Sequence, residues 1–299
     1  MKLIAKSSCD INQLTDRMDK NLIDIEIQLM EDFFDQNNDI SKYTHIMSGG
    51  WDIRHIHAPF IPGGADLPVE YVGDSSVAAV FLKMCKLAQM CAEYYNHDVI
   101  VVVHTGTPLS VLLHMPEALI AIEEVVGLAL TNYPNIIFSI ENGALYSVKH
   151  ESIHISKCAL FENVELAKYF NRRFQTNRFG TTIDICHILM SIKVVNMVGV
   201  DPWAQSSIAA IDRFFRQNQD VLNNIHLNNI KNLGLSHDHG QTFKQRSKKD
   251  MELLHNILDI YKKYECLCDI TMEISEKDYT NAVNVKKLKK AVEKYMSSC

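Results

Sequence analysis

The stretch Phe179-Gly180-Thr181-Thr182-Ile183-Asp184-Ile185-Cys186-His187 reads as a short buried strand with an acid near its far end and an imidazole three residues further on. On the two-residue period of a strand, Gly180, Thr182 and Asp184 share one face, which is small and polar. Thr181, Ile183 and Ile185 share the other, which is bulkier and more apolar. A carboxylate inside a strand needs a positive partner, because taking an ionised group out of water without one is strongly disfavoured. A metal ion is one such partner, and His187 stands where a co-ligand would.

The same pattern recurs on both sides of this stretch. Residues 2–7, 21–28, 52–57, 98–104, 135–141, 179–185, 224–227 and 269–273 read as strands. The clearest is Asp98-Val99-Ile100-Val101-Val102-Val103-His104. In residues 21–28 acids alternate with isoleucines, so Asp24, Glu26 and Gln28 share a face. Between the strands, residues 75–96 carry Val77, Val80, Phe81, Met84, Cys85 and Leu87 at helical spacing. Residues 116–131, 160–175, 205–219, 249–264 and 281–297 behave alike, the last with Val283, Val285, Leu288, Val292 and Tyr295 as its apolar stripe. Segments 10–20 and 29–37 are shorter candidates. Strands alternating with helices, with no low-complexity linker, predict one α/β domain over residues 1–299, a (β/α)8 TIM barrel. An open doubly wound sheet is the alternative. It favours a glycine-rich turn after an early strand, and the chain has no Gly-x-Gly-x-x-Gly.

Composition narrows the function. The 299 residues are 47% hydrophobic and carry a formal net charge of −6, which argues against binding nucleic acid by bulk charge and leaves only a local basic patch. No apolar run reaches about 18 residues, so no membrane span is expected. Met1-Lys2-Leu3-Ile4-Ala5-Lys6 lacks the apolar middle and cleavage site of a signal peptide. The eight cysteines lack zinc-ribbon spacing and read as reduced, buried thiols of a cytoplasmic protein.

Active sites of such barrels gather at the C-terminal ends of the strands. The last inward residues there are Glu26, His57, His104, Glu141, Asp184, His226 and Glu273, all acids or imidazoles. The alternation supports their placement: Glu141 shares a face with Ser139, Glu273 with Thr271 and Asp269, and His226 with Asn224 and Asn228. Any one such histidine is more often a satisfied polar group than a ligand. The set is different, because groups of this kind converging on one mouth repel or stay poorly solvated unless a cation compensates them. Carboxylates with imidazoles suit Mn, Zn, Fe or Co better than Ca.

From the third strand to the eighth the chain resembles the xylose-isomerase-like TIM-barrel superfamily. That group includes sugar isomerases and epimerases, inosose dehydratases, and the endonuclease IV branch (AP endonuclease family 2). The resemblance rests on Ile140-Glu141-Asn142, Asp184-Ile185-Cys186-His187, His226-Leu227-Asn228 and Met272-Glu273-Ile274, whose order and spacing match the family's Glu, Asp, His and Glu metal ligands. For the isomerase and epimerase branch it implies one divalent metal (Mn, Zn, Co or Fe) held by Glu141, Asp184, His226 and Glu273. The substrate would be a small sugar or sugar phosphate. Glu141 and Glu273 would be the catalytic pair, moving a proton next to a carbonyl through a metal-stabilised enediolate, and His187 would bind a substrate hydroxyl.

For the endonuclease IV branch the resemblance implies three zinc ions that cleave phosphodiesters at abasic sites in DNA. That branch adds a histidine on the third strand, a histidine on the fourth and an Asp-x-His pair after the seventh. His57 and His104 match the first two. The loop reads Ser236-His237-Asp238-His239-Gly240, so His237 stands where the acid is expected. Asp238 matches only in a shifted register, and a zinc cluster would use His237 and His239.

The isomerase/epimerase reading fits the net negative charge and the four-ligand set, and is the leading expectation; nucleic acid is a partner only in the endonuclease reading. That second reading gains from Lys244, Arg246, Lys248 and Lys249, although the run reads first as a solvated helix start, and from Phe60 as a wedge between bases. A non-catalytic barrel that binds a metal, ligand or partner is the third reading. Met190 to Trp203 reads as a long apolar connection suited to a lid or a dimer contact, which leaves a homo-oligomer open.

Overall fold

The alternation of buried strand and amphipathic helix resolves into a closed parallel barrel in the computed structural model, which describes residues 1–298 except 36–38, 62–64, 105, 144–145, 150–151, 156–161, 199–205 and 231–238. Its strands are β1 (Leu3–Ser7), β2 (Asp24–Gln28), β3 (Asp52–His57), β4 (Val99–His104), β5 (Ile136–Glu141), β6 (Phe179–Asp184), β7 (Leu222–His226) and β8 (Asp269–Met272). Each pairs with its successor, and β8 closes on β1 with Leu3 opposite Ile270 and Ala5 opposite Met272. The expected (β/α)8 TIM barrel is therefore the fold, and each strand lies where its period-two pattern puts it, within a few residues.

The outer layer comprises α1 (Ile11–Asp19), α2 (Ser75–Tyr95), α3 (Pro116–Asn132), α4 (Glu162–Phe174), α5 (Ile185–Val198), α6 (Ser207–Asn218), α7 (Lys248–Lys263) and α8 (Val283–Ser297). Local chemistry sets the ends. Asp10, Asp74, Ser206 and Ser247 accept backbone amides at the starts of α1, α2, α6 and α7, Pro116 opens α3, and α2 stops at Asn96 with φ 55°. Among the described residues one helix, Ser75–Tyr95, is long and apolar enough to cross a membrane. Here its Val80, Phe81, Met84, Cys85, Leu87 and Ala88 are buried in the core. Val283, expected on the stripe of α8, is exposed in its first turn, whereas Val285, Leu288 and Val292 are buried. Cys9, Cys85, Cys91, Cys266 and Cys268 are free thiols, and Cys186 lies 3.7 Å from the sulfur of Met190; Cys158 and Cys299 lie outside the described residues.

Two expectations change. The segment 29–37 forms only the 3-10 turn Glu31–Phe34, with a second 3-10 helix at Ile40–Met47; residues 36–37 lie outside the described residues. In that turn only Phe33 is buried, so there is no apolar stripe to stabilise a longer helix. The supposed connection from Met190 to Trp203 is helical through 198, because α5 begins directly at the end of β6 and buries Ile188, Leu189 and Ile192; residues 199–203 lie outside the described residues.

Two register shifts decide what faces the lumen. Between β2 and β3, Ile25 pairs with Ile53 but Glu26 with His55, so Arg54 is an extra residue and bonds Asp24 at 3.2 Å. Between β6 and β7, Thr181 pairs with Leu222 and Thr182 with Asn224, so Asn223 is the extra one. Its carboxamide fills the space where any side chain on Gly180 would project. The apolar layer lies outside the strands, where the rings of Phe81, Phe138, Phe179 and Phe170 follow one another at 5.7, 5.1 and 5.1 Å. Gly180→Val is expected to destabilise the fold by about 1–3 kcal/mol through overpacking. Denaturant unfolding measures this, and Asn223→Ala in the same chain should restore part of the loss.

Candidate metal centre

Period two brings the polar ends of β3 to β8 together over the barrel mouth. Glu141 Oε2 lies 3.1 Å from His57 Nε2, 3.3 Å from His104 Nε2 and 3.3 Å from His226 Nδ1. Asp184 Oδ2 lies 3.8 Å from His226 Nδ1 and 3.5 Å from His239 Nε2. Glu273 Oε2 lies 3.1 Å from the same His226 nitrogen. Glu141, Asp184, His226 and Glu273 each offer a ligand atom, all within 4.8 Å of one another. These are the four residues that the resemblance implies as ligands. A second such set is His57, His104 and Glu141, and a third is Asp184, Cys186 and His239. Glu141 is thus common to two sets, and Asp184 to two.

The surroundings orient these atoms. The Nδ1 of His57 contacts the carbonyl of Ala58 at 3.2 Å, and the Nδ1 of His187 contacts that of Asn142 at 2.7 Å. A carbonyl only accepts, so each ring carries its proton on Nδ1 and leaves Nε2 available. Asn142 bridges two strands: its Oδ1 accepts the Asp184 amide at 2.7 Å. Asn228 donates to Asp184 at 3.0 Å and to Glu273 at 3.2 Å. His187 sits in the first turn of α5 with its ring 5.1 Å from that of His239. Its amide is bonded to Asp184. It therefore lies between the second and third sets, with its ring also 5.8 Å from that of His104.

Whether these residues fit a cation is answered by His226. Its Nδ1 is buried, is surrounded by three carboxylates and has no hydrogen-bond partner. A mixed oxygen and imidazole set of this kind suits Zn, Mn, Fe or Co. Electrostatics agree. Burial pushes the Glu141 carboxyl up, but the His104 and His226 imidazoles outweigh it and hold the group well below the carboxylate range. Burial of Asp184 is similarly overcome by His187, His226 and His239. In return, and against their own burial, the carboxylates raise His226 well above the imidazole range and His239 to about 9.

Sequence reading missed Lys6, His55 and Cys186. Lys6 Nζ reaches Glu273 Oε1 at 2.6 Å and Glu26 Oε1 at 3.5 Å. Alternation with Ile4 was its signal, as alternation with His57 was for His55. Cys186 gave no such signal, since it lies past the strand end. His237, Asp238 and Thr105 lie outside the described residues, as does the side chain of Phe60. Of the basic run, Lys248 and Lys249 open α7 behind its cap Ser247, Lys244 and Arg246 precede it, and all four are exposed.

Comparison with solved structures follows this geometry. A D-tagatose 3-epimerase-like protein matches with a TM-score of 0.59 at 17% identity, covering 100% of this chain and 98% of that one. An AP endonuclease, family 2, from Brucella melitensis matches with 0.55 at 9% identity, covering 94% and 96%. D-allulose 3-epimerase from Methylomonas sp. matches with 0.56 at 11% identity, covering 99% and 98%. The chain shares the (β/α)8 barrel fold of these proteins. No protein-family model matches the sequence, and the search of curated proteins gave no match. The likeness is one of fold, spread over the whole barrel, and both enzyme types expected from the sequence occur among the proteins that share it.

Cation binding at this mouth must displace protons. With His239 near 9, that imidazole is charged at neutral pH, and its lone pair becomes available only as the proton leaves. Zn²⁺ titrated calorimetrically into the chelator-treated protein, in buffers of different ionisation enthalpy, should release protons at pH 7. Apparent affinity should rise with pH through the range in which His239 and His226 lose their protons.

Proposed function

We propose that the chain is a divalent-metal-dependent phosphodiesterase of the endonuclease IV kind, cutting DNA at abasic sites. The observation that carries this reading is the sharing of Glu141 between the quartet and the pair His57 and His104. One carboxylate common to two ligand sets suits adjacent cations, the arrangement that clamps a phosphate during in-line displacement. Divalent cations held there would supply Lewis-acid polarisation of a phosphoryl oxygen. His57 and His104 would hold one such cation, and Asp184, His226 and Glu273 another, with Glu141 common to both sets. His187 and His239 flank Asp184 and extend the donor set toward a third position, the number the resemblance implies.

The chain's own residues also shape the substrate side. A cavity of about 310 Å³ beside the centre is lined by Lys6, Ser7, Gln28, His239, Glu273 and Ser275. That volume suits a sugar-phosphate unit. Lys6 contributes a fixed positive charge at its floor: burial disfavours that charge, yet the Glu273, Glu26 and Glu141 carboxylates keep it.

The second reading is a one-metal sugar or sugar phosphate isomerase/epimerase. It is favoured by the complete quartet, with Glu141 and Glu273 at 3.3 and 3.1 Å from one nitrogen. It requires a carboxylate that coordinates and still abstracts a proton. Glu273 meets that requirement poorly, because Oε1, the oxygen not facing His226, is bonded to Lys6 at 2.6 Å. An ammonium at that distance lowers basicity.

The two readings part experimentally. Metal analysis of the purified chain should find more than one divalent cation, and His57→Ala and His104→Ala should each lower the count. Duplex DNA with a single abasic site should be nicked by the metal-loaded protein, and Glu141→Gln should abolish nicking with circular dichroism unchanged. One cation, no nicking, and proton exchange into a keto sugar by NMR would replace this reading with the isomerase/epimerase one.

A further inference from the structure

One buried acid lies beneath the centre and belongs to none of the roles assigned so far. Glu26, in β2, is fully buried in the lumen. Its Oε2 accepts from Thr271 Oγ1 at 3.1 Å, from His226 Nε2 at 3.2 Å, from His55 Nδ1 at 3.2 Å and from Asn224 Nδ2 at 3.4 Å. Four strands besides its own, β3, β7, β8 and, through Lys6, β1, therefore hold one carboxylate in place. His55 continues the chain downward: its Nε2 is 3.5 Å from Asp269 Oδ2, and the other Asp269 oxygen accepts the backbone amide of Lys2 at 2.8 Å.

We infer that Glu26 is a positioning residue that fixes His226 as an Nδ1 ligand, anchored through His55 and Asp269 to the N-terminal end of the barrel. The inference rests on the metal reading of the centre. A carboxylate cannot donate, so the contact at 3.2 Å requires the proton of His226 to sit on Nε2. When a cation displaces the other ring proton, the lone pair is therefore on Nδ1, the nitrogen facing Glu141, Asp184 and Glu273. A carboxylate behind a ligating imidazole also makes it a stronger donor. Glu26 can be grouped with His57 and His226 as a ligand set of its own. The geometry points away from that role, because Oε2 is already surrounded by four donors and Oε1 is the oxygen nearer Lys6.

The test uses the full chain and Zn²⁺ in competition with a chelator. Glu26→Gln is expected to weaken zinc binding by about 10–100-fold while the amount bound at saturation is unchanged. Thr271→Val, which removes a single donor to Glu26, should give a smaller loss in the same direction. The visible spectrum of the Co²⁺-loaded protein should shift in Glu26→Gln, a readout that a purely structural role would not move. Unchanged affinity in Glu26→Gln would overturn the inference. So would the loss of a whole equivalent of zinc at saturation, which would make Glu26 a ligand. If the unaltered chain itself binds no zinc, the metal reading falls and this inference with it.

Discussion

Three carboxylates meeting on one buried nitrogen are the constraint around which this barrel is arranged. Glu141, Asp184 and Glu273 come from three strands and all face His226 Nδ1. Without compensation such a cluster would open the barrel or force the acids to protonate. Compensation is supplied locally by His226 and His239, whose imidazoles the acids raise above their usual range, and by the ammonium of Lys6. Because the lumen is given over to these groups, the apolar packing that stabilises the chain lies outside the strands, between sheet and helices. The aromatic file from Phe81 to Phe170 belongs to that layer.

The two register shifts serve the same end. An unbroken β3 would send Arg54 and His55 to opposite faces. With Arg54 as an extra residue, Ile53 and Ile56 both join the apolar core, while His55 and His57 both reach carboxylates, Glu26 and Glu141. Arg54 is left to pair with Asp24 and Asp52 at the opposite end of the barrel from the metal centre. In β7 the shift at Asn223 keeps Asn224 and His226 in line above Glu26. Each irregularity thus aims a side chain that the centre uses.

Much of this was legible in the residues, and the reason is physical. A parallel strand covered by helices must alternate, and an acid or imidazole closing such a run advertises its place at the mouth; Asp184 after Thr182 is the plainest case. What could not be read depends on partners distant in sequence. The bulges at Arg54 and Asn223 exist only relative to β2 and β6. Lys6 looks like an ordinary surface lysine until Glu26 and Glu273 are placed beside it. Asn142 resembles a turn residue, and its bonds to Asp184 and His187 span more than forty positions. The apolar run after His187 was taken for a connection because a helix starting at the strand's last residue leaves no turn to mark it.

Lys6 has a bearing on how the protein comes to be made. Around the mouth, the acids Glu26, Glu141, Asp184 and Glu273 face Lys6 and the raised imidazoles His226 and His239, so the charges come close to cancelling before any ion arrives. Small zinc domains, by contrast, stay unfolded until the metal organises them. Here the chain supplies its own provisional counter-ions. A barrel balanced in this way does not depend on a bound ion to fold, and any cation entering the mouth would take the place of protons already there.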